Sequence, residues 1–327
     1  MTLVTPYREH LYSGMLPGLV AGHYEKDELS IDLARLARET GAVLVLDRAV
    51  GLDAGRKALR LEKAGELAYD WLSLNLGSLP DYGGVPGAAE HSAPAKPFEA
   101  FLERWEILRE AAGEPRMAIA GAGAAGVELA MAMRHRLPRA AVTLYSDKAM
   151  FSGGLAERIG RALERSGVLL RPGTPVIGVE PGPLVVSRAG REPCDALFWT
   201  AGAAPPRWLG GTGLALDAAG FVLVDSTLRS VSHPQVFAVG DTATLADARH
   251  PKSGVFAVRH ARILDANVRA AACGGPMARF VPQRRQLALI SCGGRHAIAA
   301  WGGWSAQGAW AWRWKDWIDR RWVARFR

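Results

Sequence analysis

The residues best placed to do chemistry lie in the run "MAIAGAGAAGVELA". Gly121, Gly123 and Gly126 form G-x-G-x-x-G directly after an apolar, strand-like stretch and directly before a helical one. The first glycine permits a tight turn, the second lets backbone amides approach a pyrophosphate, and the third lets helix and strand pack closely. The helix N-terminus then turns its amide dipoles toward the phosphates. Asp147 follows Gly126 by 21 residues, after the next strand-like run "AVTLY", where an acidic side chain would take the ribose hydroxyls of NADH. Ser146 competes for that slot, and the run "SDK" leaves room for NADPH. No arginine pair stands ready for a 2′-phosphate, so NADH is the expected dinucleotide.

A second pattern, "STLRSVSHPQVFAVGDTATL", runs a polar loop into an apolar strand that ends in Gly240-Asp241. A carboxylate delivered at the C-terminal end of a strand sits beside ligands in open α/β sheets, although Gly-Asp also ends strands in plain turns. The eight histidines, at positions 10, 23, 91, 135, 233, 250, 260 and 296, show no H-x-x-x-H spacing, so no metal site is expected. The three cysteines, Cys194, Cys273 and Cys292, form no C-x-x-C pair and read as incidental thiols of a reducing compartment.

These groups need elements to hold them. Strand-like and helix-like runs alternate through Met117–Ala120, Ala124–His135, Ala141–Tyr145 and Leu155–Ser166, the spacing of βαβ units on a parallel sheet. Further strands are expected in "GAVLVLDRAVGLD", "ELAYDWLSLNLGSLP", "FVLV" and "QVFAVG". Helices are expected over Asp27–Thr40, over "FEAFLERWEILREAAG" and from about Phe256, and the end of the chain reads as a hairpin followed by a Trp-rich helix. The fold class is therefore α/β, and 327 residues suffice for two domains.

The charge is unevenly spread. From Pro276 to Arg327 there are ten Lys/Arg against two Asp/Glu, which accounts for the whole net charge of +8. Seven tryptophans lie between Trp301 and Trp322, with Trp310, Trp314, Trp317 and Ile318 on one side of a helix. Indoles interleaved with cations suit a membrane interface, and packing on the body or on a dimer partner suits them equally. Nucleic acid is not an expected partner, since no recognisable binding module is present. No apolar run reaches the roughly 18 residues of a membrane span and no signal peptide is visible. The chain is expected in the cytoplasm, and the membrane-contact reading of the tail would place it at the inner face of the membrane.

The order of these pieces resembles the two-dinucleotide-binding-domain flavoproteins, the pyridine nucleotide-disulfide oxidoreductase superfamily. "WTAGAAPP" and "NLGSLP" look like its chain crossovers and "VFAVGD" like its late FAD motif. The likeness narrows to type II NADH dehydrogenases, and further to the flavoprotein module associated with selenide, water dikinase. It is carried by "YREHLYSGMLPGLVAGHY", "PKSGVFAVRHA", "FVPQRRQLALISCG" and "WKDWIDRRWVARF". No kinase domain is present.

The resemblance implies two Rossmann-like domains, an NAD(P)-binding domain inserted in an FAD domain. Residues 1–113 and 214–275 would be the two parts of the FAD domain, 114–213 the inserted domain, and 276–327 a Trp/Arg-rich C-terminal segment. It implies FAD and NADH as cofactors, and transfer of hydride from NADH to flavin and on to a small-molecule electron acceptor such as a quinone. Asp241, with Gly240, would hold the flavin's ribityl or phosphate portion, and Gly202 marks a crossover beside the cofactors. Gly254, Val255 and Phe256 would present a helix N-terminus to the isoalloxazine ring. Glu128 would stand near the nicotinamide as the catalytic candidate, its alternative being an ordinary exposed helix glutamate. Tyr12, Ser13 and Met15 would line the flavin's face.

The sequence departs from the family in three places. No redox cysteine pair is present, and Val258, Arg259 and His260 stand where type II dehydrogenases tend to carry glutamines. "MTLVTP" matches the second strand of the FAD domain, and the strand, glycine turn and helix that open that domain are absent from the sequence. A competing expectation is therefore a non-catalytic chain that binds NAD(H) and holds no FAD.

Overall fold

The computed structural model describes residues 1–148, 151–248, 250–283 and 285–327. The chain divides into two compact units. Met1–His10, Asp32–Leu79 and Ala203–Arg284 make the first, and Leu11–Ile31, Pro80–Gly202 and Arg285–Arg327 the second. These breaks differ from the boundaries expected at 113, 213 and 275, and packing gives the reason. The helix Phe98–Glu110 buries Phe101, Trp105 and Leu108 in the second unit's core, where Phe101 meets Phe198 with ring centroids 5.0 Å apart. Ile290 and Ile298 carry the tail into the same core.

The second unit is built on a five-stranded parallel sheet. Its order is Val168–Arg171, Ala141–Tyr145, Arg116–Ala120, Ala196–Trp199 and Ala93–Pro94. The strand runs are apolar almost throughout because both faces are covered, as parallel sheets require. Met117 and Ile119 pack with the helices Ala124–Arg136 and Gly153–Ser166 in one cluster. Ala118 and Ala120, pointing the other way, meet Val176, Val179 and Val185 of an antiparallel meander. This period of two sets the face each residue serves.

The tail forms three antiparallel strands, Leu287–Ser291, Ala297–Trp301 and Trp304–Gly308, one more than the expected hairpin, followed by the helix Ala309–Val323. That helix turns Ala311, Asp319 and Val323 inward, while Trp310, Trp314 and Trp317 face out at 42%, 41% and 56% exposure.

The first unit holds parallel strand pairs: Thr2–Thr5 with Val43–Leu46, Leu72–Leu74 with Val236–Ala238, and Val222–Val224 with Ala243–Leu245. An antiparallel trio, Ala49–Asp53, Ala58–Leu61 and Glu66–Ala68, adds Leu52, Leu59 and Leu61 to a core shared with Val222, Val224, Val236 and Phe256. The helix expected from Asp27 starts only at Leu33, because Asp32 is its N-cap: the Asp32 carboxylate accepts from the Arg35 amide at 2.9 Å. The helix expected from about Phe256 spans Gly254–Cys273.

Candidate functional site

In the second unit, the strand Arg116–Ala120 ends in Gly121 at φ +110, a conformation open to glycine and strained for other residues. Gly123 caps the helix Ala124–Arg136 and Gly126 lies buried in its first turn. A methyl group on Gly126 would run into the Gly121 carbonyl oxygen and stand 2.8 Å from Thr200 Oγ1. Thr200 is the residue that sequence reasoning missed here. Its hydroxyl donates to the carbonyls of Ala120 at 3.0 Å and Gly121 at 2.8 Å, so it pins the turn from the neighbouring strand end. Its place inside the crossover run "WTAG" was the available signal. Gly202, two residues on, sits against Asp81, whose carbonyl lies 2.8 Å from where a Cβ would be.

The structure also separates Ser146 from Asp147. Ser146 is buried and its hydroxyl donates to the Lys148 carbonyl at 2.5 Å, whereas Asp147 is exposed just past the strand end. Asp147 is thus the carboxylate that stands open beyond this strand.

Glu128 is no ordinary exposed helix glutamate. It is half-buried, and its Oε1 accepts the Ser291 amide at 2.8 Å. Burial pushes its carboxyl above the usual range, against the pull of Lys315. Lys315, on the tail helix, donates to Asp319 Oδ2 at 2.7 Å and to the Gly14 carbonyl at 2.7 Å. Burial alone would lower its ammonium, but Glu128 and Asp319 outweigh burial and raise it. Tyr12 hydrogen-bonds Asp319, so the loop before Met15 closes the cluster. Cys292 adjoins it, and burial with the nearby Glu128 charge pushes that thiol up to about 12, which makes it inert as a nucleophile. Neither Lys315 nor Asp319 was singled out from sequence, because the Gly14 carbonyl that Lys315 bonds lies 301 positions away in the chain.

In the first unit, the strand Val236–Ala238 leads through Val239 into Gly240, at φ +61, and Asp241. Asp241 is buried, at 8% exposure, and its Oδ2 accepts the Ser78 hydroxyl at 2.8 Å. The Gly240 amide donates to His260 Nδ1 at 3.1 Å, which leaves the proton of this neutral imidazole on Nε2. His260 is fully buried, and burial beside His250 and Lys252 lowers it to about 4. His250 stacks on Phe256 with centroids 4.5 Å apart. Phe256 therefore contributes its side chain to the core, while Gly254 and Val255 stand exposed in the first helical turn. Three buried polar atoms here have no protein partner among the described residues: Ser253 Oγ, His250 Nε2 and His260 Nε2. Ser253 caps the helix, so its hydroxyl and the first-turn amides make an acceptor-seeking cradle. Among the described residues no group of three or more His, Cys, Asp or Glu side chains could hold a metal ion.

The comparisons with known proteins agree with this geometry. The chain is 27% identical over 242 residues to an NADH dehydrogenase-like protein of Mycobacterium tuberculosis, covering 68% of this chain and 60% of the relative. It is 26% identical over 329 residues to an alternative NAD(P)H-ubiquinone oxidoreductase of Arabidopsis thaliana, covering 86% and 63%. The chain thus spans about 60% of the length of these relatives. Among solved structures, it is similar in fold to the sulfide:quinone oxidoreductase of Aquifex aeolicus, with a TM-score of 0.82 and 17% identity over 100% of this chain and 85% of that one. It is likewise similar to NDH2 of Plasmodium falciparum solved with NADH, with a TM-score of 0.74 and 11% identity over 98% and 92%. These likenesses bear out an α/β fold with Rossmann-like parallel sheets. The pyridine nucleotide-disulphide oxidoreductase family matches residues 1–261, and the chain belongs to that family.

Proposed function

We propose that this chain is an FAD-dependent NADH oxidoreductase that passes electrons from NADH to a small acceptor of the quinone class. The observation that carries the reading is the glycine turn at 121–126, where Thr200 pins the backbone and Gly126 leaves no room for a side chain. The first-turn amides and dipole of the helix Ala124–Arg136 would take the pyrophosphate, and the exposed Asp147 carboxylate would accept from the ribose hydroxyls. Glu128, its Oε1 held by the Ser291 amide, would stand near the nicotinamide. The acceptor class is supported by the relative named for NAD(P)H and ubiquinone.

The first unit's residues fit a flavin. Ser253 Oγ and the first turn at Gly254 and Val255 offer unspent donors, and Asp241, fixed by Ser78, would accept from the ribityl hydroxyls. When bound, FAD supplies the two-electron chemistry between NADH and acceptor. The domain assignment follows: the second unit would serve NADH and the first FAD. Purified chain should be yellow and should bleach when NADH is added without oxygen. Colourless protein that still binds NADH overturns the reading in favour of a non-catalytic NAD(H)-binding chain.

The tail helix carries a second part of the reading, peripheral contact with the inner face of the membrane. No described helix is long and apolar enough to cross one. Trp310, Trp314 and Trp317 instead stand outward, with Arg321 over the Trp317 ring at 5.3 Å and Arg325 over Trp322 at 5.5 Å. Indoles at headgroup depth and cations on anionic lipid would bind such a face. Sedimentation with anionic vesicles should carry the protein down, and replacing the three outward tryptophans by serine should release it. Equal sedimentation of both proteins would sink this part.

A further inference from the structure

The end of the second unit's parallel sheet holds an arrangement that the glycine turn does not use. Tyr145 and Arg171 are register partners at the ends of neighbouring parallel strands. The buried Tyr145 hydroxyl donates to Glu192 Oε2 at 3.0 Å, and Arg171 Nη2 donates to Glu192 Oε1 at 3.3 Å. Glu192 comes from the meander strand Gly190–Pro193, so one carboxylate joins two sheets. The ring is not fully satisfied, since Arg171 Nε is buried without a partner among the described residues. Its backbone borders the ribose slot directly. The Ser146 amide donates to the Arg171 carbonyl at 3.2 Å, and the Thr174 amide donates to the Ser146 carbonyl at 2.7 Å. An under-used guanidinium one residue from the slot of Asp147 is the group that a 2′-phosphate would seek.

We propose that Glu192 sets the dinucleotide preference: by holding Arg171 against Tyr145 it withholds the guanidinium from a 2′-phosphate, so the site takes NADH and rejects NADPH. The inference rests on the reading above that Asp147 meets the adenine ribose. Two carboxylates then act in one direction. Asp147 accepts from the 2′-hydroxyl and repels a phosphate in its place, while Glu192 neutralises a neighbouring guanidinium that could offset that repulsion. Discrimination of this kind combines an attractive contact with a withheld one.

The test uses the full chain and measures the affinities of NADH and NADPH separately, by energy transfer from protein tryptophan to bound nicotinamide. Glu192→Gln keeps an acceptor for the Tyr145 hydroxyl and removes the charge that holds Arg171. It should tighten NADPH about tenfold, the worth of one new charge-assisted contact, and leave NADH within about twofold. Adding Arg171→Ala to that variant should abolish the gain. Equal changes for both dinucleotides, or no change, would show that the Tyr145–Glu192–Arg171 ring only ties the two sheets together and would overturn the inference. A gain that survives Arg171→Ala would overturn it as well. Failure of the unaltered chain to bind either dinucleotide is a different result, since it removes the parent reading and this inference with it.

Discussion

Two lysines covered by protein, one in each unit, meet opposite fates. Lys315 in the second unit donates hydrogen bonds to Asp319 and the Gly14 carbonyl and has Glu128 nearby; burial opposes its charge, but two carboxylates overrule burial and the ammonium is raised. Lys252 in the first unit bonds the Ala243 carbonyl at 2.6 Å and the Thr244 hydroxyl at 2.9 Å and rests 3.9 Å over the Phe221 ring. Its partners are neutral, burial dominates over the pull of Asp217 and Asp241, and it falls to about 8. Covering a cation does not by itself decide its charge. The formal charge of what touches it does. The difference also separates the two regions in kind: the second unit's cluster pairs Lys315 with carboxylates, while the first unit's cradle keeps an unspent hydroxyl at Ser253 and unpartnered ring nitrogens at His250 and His260.

The comparison breaks most visibly if Lys315 is removed. Lys315→Met keeps the length of the side chain but leaves Asp319, 5% exposed, without its ion-pair partner and with the Tyr12 hydroxyl to hold it. Removal of one partner of a buried pair typically costs about 3–5 kcal/mol. Lys252→Met leaves only a carbonyl and a hydroxyl without their donor, a loss of about 1–3 kcal/mol. Urea unfolding of both variants checks the ranking, and equal losses would show that partner charge is not what distinguishes the sites.

The next effect is smaller and concerns the first unit alone. His260→Ala removes the acceptor of the Gly240 amide, and an unsatisfied buried donor costs about 1–3 kcal/mol. His260→Gln offers an amide oxygen to the same N–H and should recover most of that loss. If glutamine behaves like alanine, the ring's packing against Phe280, with centroids 4.4 Å apart, is what counts.

What could be read from the sequence follows from how local each signal is. The strand, turn and helix at 116–136 were readable because every requirement is met within a few residues: an apolar strand, glycines at fixed offsets, and an apolar helix face. The same holds for Gly240-Asp241, where an apolar strand ends in an acidic turn. What stayed hidden depends on contacts distant in the chain. Thr200 reaches Gly121 across 79 positions, and Ser291 reaches Glu128 across 163. The tail shows why the pattern left its two readings, membrane contact and packing, both open. Trp310, Trp314 and Trp317 form an apolar row that on an ordinary helix would face the core, yet they stand out, because the inward positions Lys315 and Asp319 have ready partners in Gly14 and Tyr12. A polar inward face becomes legible only when its partners are known.

The smallest effect, and the one that sharpens the contrast between the lysines most, is the sign of their pH dependence. Lys252 is lowered from its ordinary 10.5 to about 8. Between those values the unfolded chain binds a proton that the folded chain does not, so stability from this group rises as pH climbs from about 8 to 10.5. Lys315 is raised, so its contribution is fully present below 10.5 and is lost as pH rises through its higher folded value. Other groups titrate over the same range and obscure either trend in the unaltered protein alone. The difference in unfolding free energy between that protein and each methionine variant isolates the single lysine. That difference should grow with pH toward 10.5 for Lys252→Met and stay level, then shrink above 10.5, for Lys315→Met. Lys252 is only partly buried, so solvent screening trims its slope, but not its sign. Two slopes of the same sign would mean that the carboxylates around Lys315 do not govern its charge, and the contrast between the clusters would fail with them.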